Sequence, residues 1–274
     1  HGRIRRQRQM CIRDRSLDAN LKTEFIDSII SESAISEDHA NSFGKIIIQD
    51  SGGRMKPANT FSSELLRKVS RSNSYNGLNS DQVLVSIMDN PGVWFNAPIV
   101  YIKSGQKGDT IKKIIGVDEK IKKAPLVSFF DSLGNYKLAT NLEKAYLSNV
   151  PSQIEKDIIE LDRRVNLLYS ALEGKIMRIF PVPNDVNNKW ISYPEISEYT
   201  YEGADSLYVN NVLNLYFQTL RVARQDQDYT QSEELLESIK GFQKKYGSKV
   251  MPSDFKINSE AVSYTHLTLP TNTT

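Results

Sequence analysis

The chain has 274 residues, with 35 lysines and arginines against 33 aspartates and glutamates, a net charge of +2, one cysteine and three histidines. A single cysteine rules out an internal disulfide and a multi-thiolate metal site, and no window approaches the roughly 20 consecutive apolar residues of a membrane span. The length suits one large or two small domains, enough to bury a core.

Taken in chain order, the two ends stand apart from the rest. Arg5–Arg15 reads RRQRQMCIRDR and Val262–Thr271 reads VSYTHLTLPT. One DNA adapter, similar to the transposase adapter of sequencing libraries, encodes both when read in its two directions. Residues 1–15 and 262–274 are therefore expected to be adapter-derived and are set aside from fold reasoning. The competing reading of the first stretch, a basic arm for nucleic acid or membrane, leaves the far end unexplained. Setting aside six arginines and Asp14 turns the net charge from +2 to −3, and the electrostatic footprint of a nucleic-acid binder goes with it. Cys11, His1 and His266 go as well, so His39 is the one histidine of residues 16–261. A zinc or haem site built on two histidines of this stretch is not expected. Such ends also lead one to expect a piece of a longer protein, with membrane spans or a signal peptide outside it.

From Leu17 to Ser33, Leu21, Phe25, Ile29 and Ile30 recur at helical spacing and predict an amphipathic helix. Ser36-Glu37-Asp38 opens a short second helix through His39 to Phe43, which Gly44 stops. Lys45–Gln49 reads as a strand, Asp50-Ser51-Gly52-Gly53 as a turn, and Pro57 suits the first turn of a helix with Phe61, Leu65, Leu66 and Val69 on one face. Asp81–Met88 is a further short helix. Ile99–Lys103 and Leu126–Phe130 read as strands, the second turning through Leu133-Gly134-Asn135 into a hairpin. The lysine-rich stretch between them reads as a solvated loop and helix. Pro151–Glu173 carries Ile154, Ile158, Leu161, Val165, Leu168 and Leu172 in helical register, and Ile176–Phe180 is a strand ended by Pro181 and Pro183. A long loop surrounds Trp190. Ala204–Gln225 and Tyr229–Tyr246 form a helical hairpin closed by Gly247, similar to one tetratricopeptide unit but with no second copy at the required period. The expected class is α+β, mainly helical with short strands and one hairpin, as a single soluble extracytoplasmic domain over residues 16–261.

The stretch QDSGGRMKPANTFSSELLRK, Gln49–Lys68, concentrates the chemistry. Gly52 and Gly53 could present backbone N–H groups to an anion, with Arg54 and Lys56 adding charge. The spacing is not that of a P-loop, which needs G-x-x-x-x-G-K-[ST]; the plainer reading is a strand–turn–helix corner with solvated cations. His39 reads as a surface or core histidine. Trp94 and Trp190, in proline-flanked loops, read as core anchors, and Asp157, Glu160 and Asp162 as the wet face of the long helix. No acid/base pair stands out for catalysis.

His39–Ser70, HANSFGKIIIQDSGGRMKPANTFSSELLRKVS, resembles the extracytoplasmic segment of the fused system II cytochrome c biogenesis proteins, which join a ResB-like half to a CcsA-type haem-handling half. NSDQVLVSIMDNPGVWFNAPIVYIK, KIMRIFPVPNDVNNKWISYPE and DYTQSEELLESIKGFQKKYGSKVMPSD resemble later parts of the same segment, so that the resemblance covers residues 17–260, with Gly53–Thr60 its most specific element. It implies a membrane-anchored parent on the periplasmic side that carries haem across the membrane and attaches it to CxxCH cysteines, acting as a cytochrome c haem synthase component. It implies no catalytic residue, metal or haem ligand within this chain, since neither Trp94 nor Trp190 sits in a tryptophan-rich haem motif. The implied partners are the haem-handling membrane half and apocytochrome c, not nucleic acid. The binding residues it suggests are Arg54, Lys56 and Asn59, with Gly52 and Gly53 making the turn. The alternative is a free-standing periplasmic binding or scaffold module.

Overall fold

The computed structural model describes residues 19–253; both ends expected to be adapter-derived lie outside the described residues. In chain order the elements are α1 (Ala19–Glu32), α2 (Glu37–Phe43), β1 (Ile47–Gln49), β2 (Met55–Pro57), α3 (Ala58–Ser70), α4 (Ser80–Asp89), α5 (Pro91–Asn96), β3 (Pro98–Tyr101), α6 (Gln106–Ile115), β4 (Lys123–Pro125), a 3-10 turn (Leu126–Phe129), α7 (Ala139–Leu147), α8 (Gln153–Leu172), β5 (Phe180–Pro181), β6 (Trp190–Ile191), a 3-10 segment (Tyr193–Glu198), α9 (Gly203–Asp226) and α10 (Thr230–Gly247). The class is α+β with helices dominant. Every sheet among the described residues is a two-stranded antiparallel pair, β1–β2, β3–β4 and β5–β6. No helix among them is long and apolar enough to cross a membrane.

The described residues divide into two compact units interleaved in sequence: residues 19–32, 67–72 and 90–172, and residues 33–66, 73–89 and 173–253. In the first unit α8 is the spine, with α5, α6, α7 and β3 packed on it. Ile158, Leu161, Val165 and Leu168 of α8 are buried with Trp94, Val100, Ile111 and Phe129, the 3.6-residue stripe that the sequence shows. Three details differ from the sequence reading. Trp94 lies on the short helix α5, started by Pro91 in its first turn, and is a buried anchor as expected. On α1 the buried face is Ile26 and Ile30, while Phe25 is 59% exposed. Leu126–Phe130 is not a strand: the β3–β4 ladder runs out at the Pro98–Pro125 pair, where neither residue has an N–H to donate, and the chain then coils into a 3-10 turn. The expected hairpin shrinks to a single Phe130–Tyr136 bridge, its turn tied by the Asp131 carboxylate, which accepts from Leu133 N–H and Asn135 N–H at 2.8 Å each.

Buried charge also separates structure from expectation. Asp157 and Asp162 of α8 are buried rather than wet. Asp157 accepts from Lys103 Nζ at 3.1 Å and Gln153 Nε2 at 2.9 Å, and Asp162 from Asn166 Nδ2 at 2.8 Å. Lys112, in the lysine-rich stretch, is 2% exposed and donates to the Glu119 carbonyl. A buried charge is tolerated only when paired or hydrogen-bonded, and these are.

The second unit holds the α9–α10 hairpin, with α10 packed on β5 and α2, α2 on α4, and β1 beside β6. Two-stranded sheets leave edges that need partners. Here two buried glutamine side chains supply them. Gln243 of α10 accepts from Ile47 N–H at 3.2 Å and donates through Nε2 to the Ile47 and Ile179 carbonyls at 2.8 and 3.0 Å. Gln49 accepts from Trp190 N–H at 2.7 Å and donates to the Asn188 carbonyl at 3.1 Å. Trp190, buried as expected, is a strand residue packed on Ile47 with Met55 and Met251. The expected strand 176–180 contracts to Phe180–Pro181: the Ile179 carbonyl accepts from the Gln243 side chain, and the Arg178 carbonyl accepts from the Gln49 backbone N–H at 3.0 Å, a lone bond to β1.

Candidate functional site

The glycine corner sits between β1 and β2. Asp50 closes it: its Oδ1 accepts from Gly52 N–H at 2.9 Å and Arg54 N–H at 3.0 Å, while Oδ2 pairs with Lys56 Nζ at 3.0 Å. Gly53 has φ +81°, the left-handed region that glycine reaches without Cβ strain. Strand pairing then sets Gln49 opposite Met55 and Ile48 opposite Lys56. Lys56 is buried, with its ammonium shared between Asp50 and Glu64 Oε2, the latter at 3.4 Å. Burial alone would raise the Asp50 carboxyl. The Lys56 hydrogen bond and charge and the two N–H donors outweigh it, so the group sits below the usual carboxylate range. The two cations singled out by sequence therefore part ways. Lys56 is an internal anchor of the corner, whereas Arg54 is exposed at the rim. Asn59 faces the start of α2's exit: its N–H donates to the Gly44 carbonyl at 3.0 Å and its Oδ1 accepts from Thr60 Oγ1 at 3.3 Å.

His39, on α2, is 1% exposed. With Nδ1–H donating to Glu233 Oε1 at 2.6 Å, Nε2 accepts from the Tyr216 hydroxyl at 3.0 Å. The ring stacks on Tyr229 at 4.9 Å between centroids, and Tyr229 in turn accepts from Ser36 N–H at 3.0 Å. Burial holds the imidazole pKa below its ordinary value, against the Glu233 hydrogen bond and charge, which work to raise it. The ring thus ties α2 to α9 through Tyr216 and to α10 through Tyr229 and Glu233. Both nitrogens are engaged by protein, so metal or haem ligation through His39 requires breaking at least one of these bonds.

No family model matches the chain. The chain is similar to Protein NrfI of Wolinella succinogenes, 29% identical over 229 residues. The match takes in 82% of this chain and 24% of that protein, so the chain spans about a quarter of its relative's length.

One further group near the corner escaped the sequence reading. Asp81, in the first turn of α4, is buried, accepts from the Ser62 hydroxyl and has its pKa pushed up to about 6 by burial, against the lowering effect of Ser62. Gly44 makes room for it. A Cβ there would stand 2.7 Å from Asp81 Oδ2 and 3.0 Å from Asn59 Cβ, and its φ of −55° is ordinary. Gly44 is a glycine for space, not as a left-handed helix stop. A carboxyl titrating near 6 is a known signature of acid/base sites, yet Asp81 faces Ser62 and backbone rather than an open cleft. Among the described residues no group of three His, Cys, Asp or Glu could hold a metal ion. The partners of His39, namely Tyr216, Tyr229 and Glu233, lie 177 to 194 positions away, and no local pattern marks them.

Proposed function

We propose that this chain is the noncatalytic extracytoplasmic domain of a membrane-bound cytochrome c biogenesis protein that exports and attaches haem. On this reading it shapes the outer face of the assembly and receives the apocytochrome. The observation that carries the proposal is the extent of the likeness: similarity to Protein NrfI runs over 229 residues, and the cytochrome c biogenesis resemblance runs over residues 17–260, with GRMKP-x-NT its most specific element. The geometry supports a role through shape. His39 and Asp81, whose pKa values burial shifts in opposite directions, are tied into the fold, and Lys56 is held by Asp50 and Glu64. Arg54, exposed on a turn closed by Asp50, is the corner residue best placed for a carboxylate of the apocytochrome, because a guanidinium binds a carboxylate with two parallel hydrogen bonds. On this reading haem belongs to the membrane half of the parent, and this domain sits on the periplasmic side of the membrane, anchored by spans outside residues 19–253.

The test is titration of the chain with an apocytochrome c polypeptide whose CxxCH cysteines are blocked. Saturable binding in the absence of haem is expected. Absence of binding, together with a tight six-coordinate haem complex of the chain itself, would reverse the reading. Saturable capture of a small molecule without apocytochrome binding would favour the free-standing module.

A further inference from the structure

A groove of about 340 Å³ in the first unit is lined by Arg67, Lys68, Arg71, Arg163, Arg164, Glu160 and Leu167. A second cavity of about 370 Å³ shares Arg71, Glu160 and Arg164 with it and adds Lys103 and Asp157. The first lining carries five cations and one carboxylate, along about 10 Å of α8 from Glu160 to Leu167. This concentration is at odds with the acidic balance of residues 16–261, and nothing in the proposed function accounts for it.

Two of the cations are held in place. Arg164 is the buried floor: its Nε–H donates to the Lys68 carbonyl at 3.2 Å, NH1 reaches the Tyr101 carbonyl at 3.5 Å, and the guanidinium lies 5.5 Å over the Tyr101 ring. Arg71 and Arg164 both converge on one oxygen, Glu160 Oε1, the first at 2.8 Å. Burial, and then the charge of Arg71, hold Arg164 below its ordinary pKa, while Glu160 opposes them. Two guanidiniums are thus crowded on a single carboxylate oxygen, with Arg67, Lys68 and Arg163 beside them.

The backbone adds an independent observation. Arg71 follows the last residue of α3 with φ +57°, and its N–H closes back on the Arg67 carbonyl at 3.0 Å. This is the left-handed residue just past a helix end, where glycine is the usual occupant. An arginine there is strained, and strain of this kind concentrates where a side chain is needed for function.

From these observations we infer that the groove is a binding site for a doubly charged phosphate group. One phosphate supplies two charges and several acceptor oxygens at a single point, the species that forked guanidiniums fit best. An acidic peptide would need several neighbouring carboxylates to match the same charge density. The phosphate can come from a lipid headgroup or from a soluble phosphate compound.

The test uses the whole chain with two probes, pyrophosphate by calorimetric titration and phosphatidic acid vesicles by co-sedimentation, with phosphatidylcholine vesicles as the blank. The variants are Arg163→Glu and Arg71→Gly, with Lys144→Glu, an exposed lysine on α7, as a charge-matched control. The N-terminal arginines are common to every variant, so differences between variants report the groove. Arg163→Glu is expected to weaken binding at least tenfold, and Lys144→Glu less than twofold. Arg71→Gly should weaken binding while its melting temperature holds or rises, because glycine relieves the strained backbone. Binding of pyrophosphate assigns a soluble ligand, and binding of phosphatidic acid vesicles alone assigns a headgroup. Equal losses in Arg163→Glu and Lys144→Glu, binding of neither probe, or a hexaglutamate peptide that binds where both probes fail would overturn the assignment.

Discussion

The Asp50 corner and the His39 tie both bury polar groups in the second unit, but they are assembled from different distances along the chain. At the corner, Asp50, Gly52, Arg54, Lys56 and Glu64 all fall within 15 residues and are joined by a turn, a two-stranded ladder and one helix. At the tie, His39 meets Tyr216 and Glu233, and Gln243 meets Ile47, across separations of 177 to 196 residues. Asp89, paired at 3.0 and 2.6 Å with Arg221 and Arg224 of α9, belongs to the same long-range class. The lesson is a division of labour: remote polar contacts fix how helices and strand edges assemble, while the local corner holds a surface residue in a set place without carrying the fold.

The strongest way to break this comparison is Gln243→Leu. The substitution strands the Ile47 N–H and the Ile47 and Ile179 carbonyls in a buried site. Each stranded group costs about 1–3 kcal/mol, so a loss of about 4 kcal/mol is expected in denaturant unfolding. A loss under about 1 kcal/mol would show that the remote amide is not holding the β1 edge.

The pH profile separates two buried groups by sign. Asp81 has its folded pKa raised from 3.8 to about 6, so the native state binds the proton more tightly than the unfolded chain. Its stabilising contribution is present below about pH 4 and lost as pH rises to about 6. The change amounts to about 3 kcal/mol at about 1.4 kcal/mol per unit. His39 has its folded pKa below 6.5, so the unfolded chain takes the proton first and stability is lost as pH falls through about 6.5. Asp81→Asn should therefore abolish the decline between pH 4 and 6, and His39→Gln the rise near 6.5, both read from melting temperatures across pH. Identical profiles for the two variants would contradict the assignment.

Legibility followed the same divide. The α2 cap at Ser36, the Asp50–Gly53 turn, the apolar stripe of α8 and the α9–α10 hairpin were all readable because spacing within a dozen residues determines them. Glycine was readable in place but not always in cause: Gly44, read as the stop of α2, makes room for Asp81. The buried faces of Asp157 and Asp162 were not readable, since the ladder of α8 gives their angle but not which neighbours cover it. At the corner, sequence read the turn and set both cations on it. It could not tell the buried Lys56 from the exposed Arg54, because that depends on the β1–β2 register and on Glu64 one element away.

At the corner itself a smaller effect is expected. Lys56→Met removes two ion pairs, but the Asp50 and Glu64 side chains are 23% and 30% exposed and can be rehydrated. A loss of about 1 kcal/mol is expected, with the Asp50 carboxyl moving back up toward its ordinary pKa in an NMR titration. A loss matching that of Gln243→Leu would place the corner among the contacts that carry the fold and end the distinction.

The most direct measurement is the apocytochrome affinity of Arg54→Lys, taken alongside its melting temperature. The Asp50 Oδ1 bond to residue 54 is made by the backbone N–H and survives the substitution; lysine keeps the charge of this exposed side chain, and exposed charge contacts contribute about 1 kcal/mol or less, so the melting temperature should stay within about 2 °C. Exchange of a two-pronged guanidinium for a point charge should weaken apocytochrome binding about tenfold, or about 1.4 kcal/mol. An unchanged affinity, or a melting temperature that falls by several degrees, would contradict the claim that this corner is held locally in order to present Arg54 to a partner.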